Sequence, residues 1–331
     1  MRVAVLGAGA WGTALAHRLA ADRARQVVLW GHRPEAVRRI DETRENPLLP
    51  GVVLDPALAL TSEFDEAVAS ADLVLLAAPA GATPELAARV AAVCRGEVVA
   101  LSLAKGFVSS ADGDLQLVHQ AIEAAGCRRA GLLAGPSFAG ETARGLPLAL
   151  VCALPDVELA HTIARALRDA GMRIYAGSDR IGVALCGAIK NVYAIGAGVS
   201  DGLNLGANAR AALVTRALAE LRRLTLAAGG SADTVAGLAG MGDLVLTTSG
   251  DASRNRQVGL GLARGEPLDR IVARLGHVAE GVATAARTLD YARRFGVDMP
   301  IAGAIAALLA GEVDAGTAIK RLLEREARGE F

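Results

Sequence analysis

The chain has 331 residues, and its 35 lysines and arginines balance 35 aspartates and glutamates, so it lacks the basic field that sequence-independent nucleic-acid binding requires. With 52% hydrophobic and 21% charged residues it lies far from disordered compositions, and its length suits about two domains. Only 3% of residues are aromatic, so the core has to be built from Ala, Val, Leu and Ile.

The run Arg2-Val3-Ala4-Val5-Leu6 reads as a strand beginning almost at Met1, which leaves no room for a cleavable leader and predicts a cytoplasmic location. Strands are expected at 3–6, 27–30, 73–77, 98–101, 132–134 and 148–153, separated by amphipathic segments. Leu86, Val90 and Val93 fall at helical spacing, and Leu115, Val118 and Ile122 repeat the device. This alternation predicts a parallel sheet with helices on both faces. After Tyr175 the strand signals fade, and helices are expected at 181–200, 207–228, 268–275, 284–295, 301–309 and 315–326, with Gly229-Gly230 and Gly311 as stops. The expected organisation is an α/β Rossmann-type doubly wound sheet over 1–180, binding a dinucleotide, followed by an all-α substrate-binding domain over 181–331.

Gly7-Ala8-Gly9-Ala10-Trp11-Gly12 follows the first strand and opens a helix, the context in which G-x-G-x-x-G holds a pyrophosphate. Gly7 makes the tight turn, Gly9 admits close approach, Gly12 packs helix on strand, and the helix N-terminus favours the anion. The second strand ends in Trp30-Gly31-His32-Arg33, without the carboxylate that would bind both ribose hydroxyls. Arg33, with His32, suits a 2′-phosphate instead, so NADPH is expected to be accepted alongside NAD.

Between 181 and 200 the only charge is Lys190. At the centre of a membrane span that charge would cost about 2.5–3.5 kcal/mol, so a buried helix of a globular domain is expected. A buried ammonium calls for a partner or a function, and a lysine near a nicotinamide can exchange a proton with an alcohol. Lys105 lies just past the strand at 98–101, where open sheets bind ligands. Ser253-Arg254-Asn255-Arg256, after a glycine-rich loop from Gly240 to Gly250, suits a phosphate monoester. Gly135-Pro136-Ser137-Phe138-Ala139 offers amides and a hydroxyl, and Asp243 can orient the lysine, accept a substrate hydroxyl or cap the next helix. Cys94, Cys127, Cys152 and Cys186 read as reduced core residues, and the five histidines form no ligand-spaced group, so no metal is expected.

Taken together, the motifs at 7–16, 104–106, 135–139, 187–196, 242–244, 253–256 and 278–281 resemble, in order and spacing, those of bacterial-type NAD(P)-dependent glycerol-3-phosphate dehydrogenases. The resemblance covers nearly the whole chain. It implies reversible hydride transfer between sn-glycerol 3-phosphate and dihydroxyacetone phosphate, supplying glycerophospholipid synthesis, with Lys190, Lys105 and Asp243 catalytic. It assigns substrate to Lys105, Gly135, Ser137, Lys190, Asp243, Ser253, Arg254 and Asn255. The cofactor falls to Gly7, Gly9, Ala10, Trp11, Gly12, His32, Lys105, Ala139, Arg254, Val278 and Glu280, with Arg33 added on charge. A homodimer without a membrane span, and small-molecule partners only, are implied as well. Ala10, Gly140 and Ala80-Gly81 depart from the family pattern and bear on cofactor affinity. Two other readings follow from the residues. A β-hydroxyacid dehydrogenase shares the lysine helix but carries Asn where this chain has Ala194, and a non-catalytic NAD(P) sensor would need no buried lysine.

Overall fold

The structure, a computed structural model, describes residues 1–110, 112–276 and 279–324. The chain divides into two compact units, Met1–Ala184 and Leu185 onward.

The first unit runs β1 Arg2–Leu6, α1 Ala10–Ala20, β2 Gln26–Trp30, α2 Pro34–Thr43, β3 Ala59–Thr61, α3 Phe64–Val68, β4 Leu73–Leu76, α4 Thr83–Cys94 and β5 Val99–Ser102. It continues with β6 Phe107–Ser109, β7 Leu115–Leu117, α5 Val118–Ala124, β8 Arg129–Ala134, α6 Ala139–Ala143, β9 Leu148–Ala153, α7 Val157–Leu167 and β10 Met172–Gly177. Eight strands form one sheet in the order β10-β9-β8-β5-β4-β1-β2-β3, and β6 pairs with β7 alone. β4 is apolar and buried throughout, as a strand covered on both faces must be. The crossover order places the loops after β1, β4 and β5 at one edge, the crevice at which doubly wound sheets bind ligands.

Several expectations fail locally. The sheet is not wholly parallel: β9 runs antiparallel to β8, with Leu133 opposite Cys152, because the connection through the short α6 returns the chain directly. Leu115 belongs to strand β7, and the helix begins only at Val118, so the apparent helical repeat across 115–122 joins a strand to a helix. β10 was not among the expected strands; its burial alternates along an edge, and Arg173 and Tyr175 break the apolar run.

The second unit is helical: α8 Arg180–Gly202, which enters it from the first, then α9 Gly206–Ala227, α10 Ala232–Ala236, α11 Asp243–Ser249 and α12 Arg254–Ala263. α13 Leu268–Leu275, α14 Glu280–Arg293, α15 Pro300–Leu309 and α16 Ala315–Leu323 complete it. α8 is long and apolar enough to cross a membrane, yet almost all of it is buried within the protein. The segment 240–250, expected as a loop, is a single π-helical turn at Leu238–Gly242 running into α11. Gly240 permits that turn, since a Cβ there would lie 2.1 Å from the Val235 carbonyl oxygen. Such turns occur mostly inside helices, often at functional sites, and this one places Asp243 at the first position of α11.

Candidate active site

In the first unit the three loop glycines divide their work as their chemistry allows. Gly7 has φ +130°, closed to L side chains, and a Cβ would strike the Ala77 carbonyl oxygen at 2.6 Å. Gly12 packs against Gly7, with only 2.1 Å left for a Cβ. Gly9 has nothing within 4 Å of its absent side chain and is the N-cap of α1 without a side-chain cap. The first-turn amides therefore have no capping oxygen, and no acidic residue lies in that turn, so the residues present fit a dinucleotide pyrophosphate. Ala10 and Trp11 are half-buried beside this opening.

His32 and Arg33 are exposed beyond β2, and Arg33 is the N-cap of α2. Lys105 is half-buried in the turn after β5, which Ser102 stabilises by accepting the Ala104 amide at 3.1 Å; Gly106 next to it has φ +143°. Gly135 has φ +140° and abuts β9, where a Cβ would lie 2.9 Å from the Ala149 carbonyl oxygen. The Ser137 hydroxyl donates to the Gly135 carbonyl at 2.9 Å, and Ala139 opens α6.

The second unit centres on Lys190. It is 3% exposed and Asp243 1%, and the amine forms an ion pair with Asp243 Oδ1. Lys190 Nζ also donates to Thr247 Oγ1 at 2.9 Å, and that hydroxyl donates to the Asp243 carbonyl oxygen at 2.6 Å. Asp243 and Thr247 stand one turn apart on α11 and face the same helix, α8. Thr247 was missed in the sequence, where the i, i+4 spacing from Asp243 was its only signal. One turn beyond Lys190, the Tyr193 hydroxyl donates to Glu220 Oε1 at 3.3 Å. Glu220 also accepts the Ile301 and Ala302 amides at 2.9 and 3.0 Å, which caps α15. Burial pushes the Glu220 carboxyl up to about 7, and burial beside that carboxylate raises the Tyr193 hydroxyl well above its ordinary range.

The anion segment is a helix start. Ser253 is the N-cap of α12, its Oγ accepting the Arg256 amide, which leaves the hydroxyl hydrogen able to donate. Arg254 is exposed at the first helical position. Asn255 is buried, and its Oδ1 accepts the Gly281 amide at 3.0 Å. A side chain at Gly281 would lie 2.6 Å from the Asn191 carbonyl oxygen and 2.8 Å from Asn255 Oδ1, so α8, α12 and α14 meet there. Glu280, beside it, accepts from Asn191 Nδ2 at 3.2 Å. Val278 lies outside the described residues.

A glycine-loop nucleotide fold followed by a helical unit built around a buried lysine is the architecture of a dinucleotide-dependent dehydrogenase. Residues 2–160 match the family model described as NAD-dependent glycerol-3-phosphate dehydrogenase N-terminus, and residues 179–320 match its C-terminus counterpart. The chain is 48% identical to the glycerol-3-phosphate dehydrogenase (NAD(P)+) of Thiobacillus denitrificans over the full length of both. The enzyme of the same name from Cupriavidus necator is also 48% identical, again over both full lengths. The crystal structure of glycerol-3-phosphate dehydrogenase from Coxiella burnetii superposes with a TM-score of 0.91 at 33% identity, covering 98% of this chain and 99% of that one. The chain belongs to the NAD-dependent glycerol-3-phosphate dehydrogenase family.

Proposed function

We propose that Lys190 moves the substrate proton, and that Arg254 with Asn255 fixes the substrate phosphate, in the reversible conversion of sn-glycerol 3-phosphate and dihydroxyacetone phosphate that this chain catalyses with NAD(P). The nicotinamide, when bound, supplies or takes up hydride at the second carbon. In the reducing direction the Lys190 ammonium gives a proton to the carbonyl oxygen; in the oxidising direction the neutral amine accepts it from the hydroxyl. The observation that carries this reading is the amine buried with Asp243 and Thr247, held between two helices and aimed by two oxygen partners. Asp243 and Thr247 hold the amine in place and fix its direction.

Arg254, exposed at a helix N-terminus, presents a planar fork to a phosphate dianion, and the α12 amides add their dipole. Holding the phosphate orients the carbonyl, so binding energy remote from the reacting carbon lowers the barrier. Gly7 and Gly9 admit the pyrophosphate, Gly12 packs the helix against the turn that holds it, and the family resemblance assigns substrate roles to Lys105, Gly135 and Ser137. Arg33 admits the 2′-phosphate of NADPH. The product glycerol 3-phosphate supplies glycerophospholipid biosynthesis. A carboxylate substrate is disfavoured because Ala194 is fully buried and offers no amide to bind it.

The enzyme is read as cytoplasmic, where a nicotinamide pool and reducing conditions suit the free thiols of Cys94, Cys127 and Cys152, and as a homodimer. Leu205, Leu226, Met241 and Val245 are exposed apolar side chains available to a dimer interface. Oxidation of NADPH and NADH by dihydroxyacetone phosphate, followed at the nicotinamide absorbance for wild type and Lys190→Ala, tests the assignment. A fully active alanine variant would overturn the lysine's role.

A further inference from the structure

We infer that Arg256, through Asp201, is the positioning residue that fixes the phosphate clamp relative to the Lys190 amine, and so sets selectivity for a phosphorylated three-carbon substrate. The inference rests on the function proposed above and deepens it.

α8 and α12 touch backbone to backbone. A Cβ at Gly198 would lie 2.0 Å from the Arg256 carbonyl oxygen, one at Gly259 would lie 2.0 Å from the Ile195 carbonyl oxygen, and one at Gly202 would lie 2.5 Å from the Ala263 Cβ. Close approach sets the separation of the helices, and Arg256 adds a charged tie at the edge of that contact. Its Nε and Nη2 both reach Asp201 Oδ2, at 2.9 and 2.8 Å, while Arg210 Nη1 holds Asp201 Oδ1 at 3.1 Å. Asp201 lies eleven residues after Lys190 on α8, about three turns, which puts both on nearly the same face. Arg256 lies two residues after Arg254, in the same first turn of α12. One ion pair thus ties the clamp to the helix that bears the amine.

The pair is nearly desolvated, with side chains 12% and 14% exposed, and such pairs do little for net stability because leaving water offsets the attraction. Fixing register is their best-attested use. A second contact, Arg256 Nη1 to Asp251 Oδ1 at 2.9 Å, steadies the loop before the Ser253 cap, although Asp251 is exposed and the contact is weak.

The test compares wild type, R256M and D201N on dihydroxyacetone phosphate and on unphosphorylated dihydroxyacetone, with NADPH affinity and melting temperature measured alongside. Misplacement of a clamp by about 1 Å can cost about 100-fold, so R256M is expected to lose about 10- to 100-fold in kcat/KM on the phosphorylated substrate. The loss should fall mainly on KM, while turnover of dihydroxyacetone stays within about twofold, because that substrate never engages the clamp. D201N should reproduce the loss, and the double variant should be no worse than either single one. An equal loss on both substrates, or no loss on either, overturns the inference. If R256M fails to fold, the D201N selectivity ratio decides alone. An Arg254→Ala variant with an unchanged KM for dihydroxyacetone phosphate would instead overturn the proposed phosphate clamp, and the positioning role with it.

Discussion

Removing the Lys190 amine has two consequences that can be measured apart. Lys190→Ala leaves the Asp243 carboxylate at 1% exposure without its cation, and breaking a buried pair in this way costs about 3–5 kcal/mol. For a unit of this size that lowers the melting temperature by on the order of 10 °C. Loss of the proton carrier should lower kcat by about 10²- to 10⁴-fold while NADPH binding is retained. The double variant Lys190→Ala, Asp243→Ala removes the stranded charge together with its partner. Most of the lost stability should return in calorimetry, and none of the activity in stopped-flow assays. If the double variant regained turnover, or if the single variant kept kcat within about tenfold of wild type, the amine would be a structural group and not the proton carrier.

Arg254→Ala should lower kcat/KM for dihydroxyacetone phosphate by about 10²- to 10³-fold, chiefly through KM, with a melting temperature close to wild type because the side chain is exposed; steady-state kinetics and calorimetry check both halves. Gly9→Ala should fold normally, since a Cβ there meets nothing within 4 Å, yet weaken NADPH about tenfold in a fluorescence titration; Gly12→Ala, with 2.1 Å available, should lose stability first. Glu220 supplies a pH dependence. Its folded pKa is raised from 4.5 to about 7, so the folded state binds more protons across that window and stability falls as pH rises through it. The full fall is about 3 kcal/mol, and Glu220→Gln should flatten it in urea titrations between pH 5 and pH 8.

The first half of the architecture was legible because the strand, glycine turn and helix at 2–20 each carry a local signal and agree with one another. β3 and β10 were not, since both are edge strands, one of three residues and the other broken by Arg173 and Tyr175. The turn before α11 was hidden for a different reason. Gly240-Met241-Gly242 looks like a loop by composition, and only the close approach to Val235 shows why glycine sits inside a helical turn. Lys190 could be singled out because a lone charge in an apolar helix is conspicuous in one dimension. The pairing of Arg256 with Asp201 could not, because Asp201 lies 55 residues away and nothing local distinguishes that arginine from a solvated one.

The seam of hydrogens at Gly198 and Gly259 also bears on redesign. Directed evolution toward longer phosphorylated polyols has no leeway along that seam, because even a methyl group would pry the helices apart at a carbonyl. Lengthening the reach must come from the turn ahead of the Ser253 cap, where residues 250–252 lie largely at the surface and an inserted residue would lengthen the bridge without moving its piers.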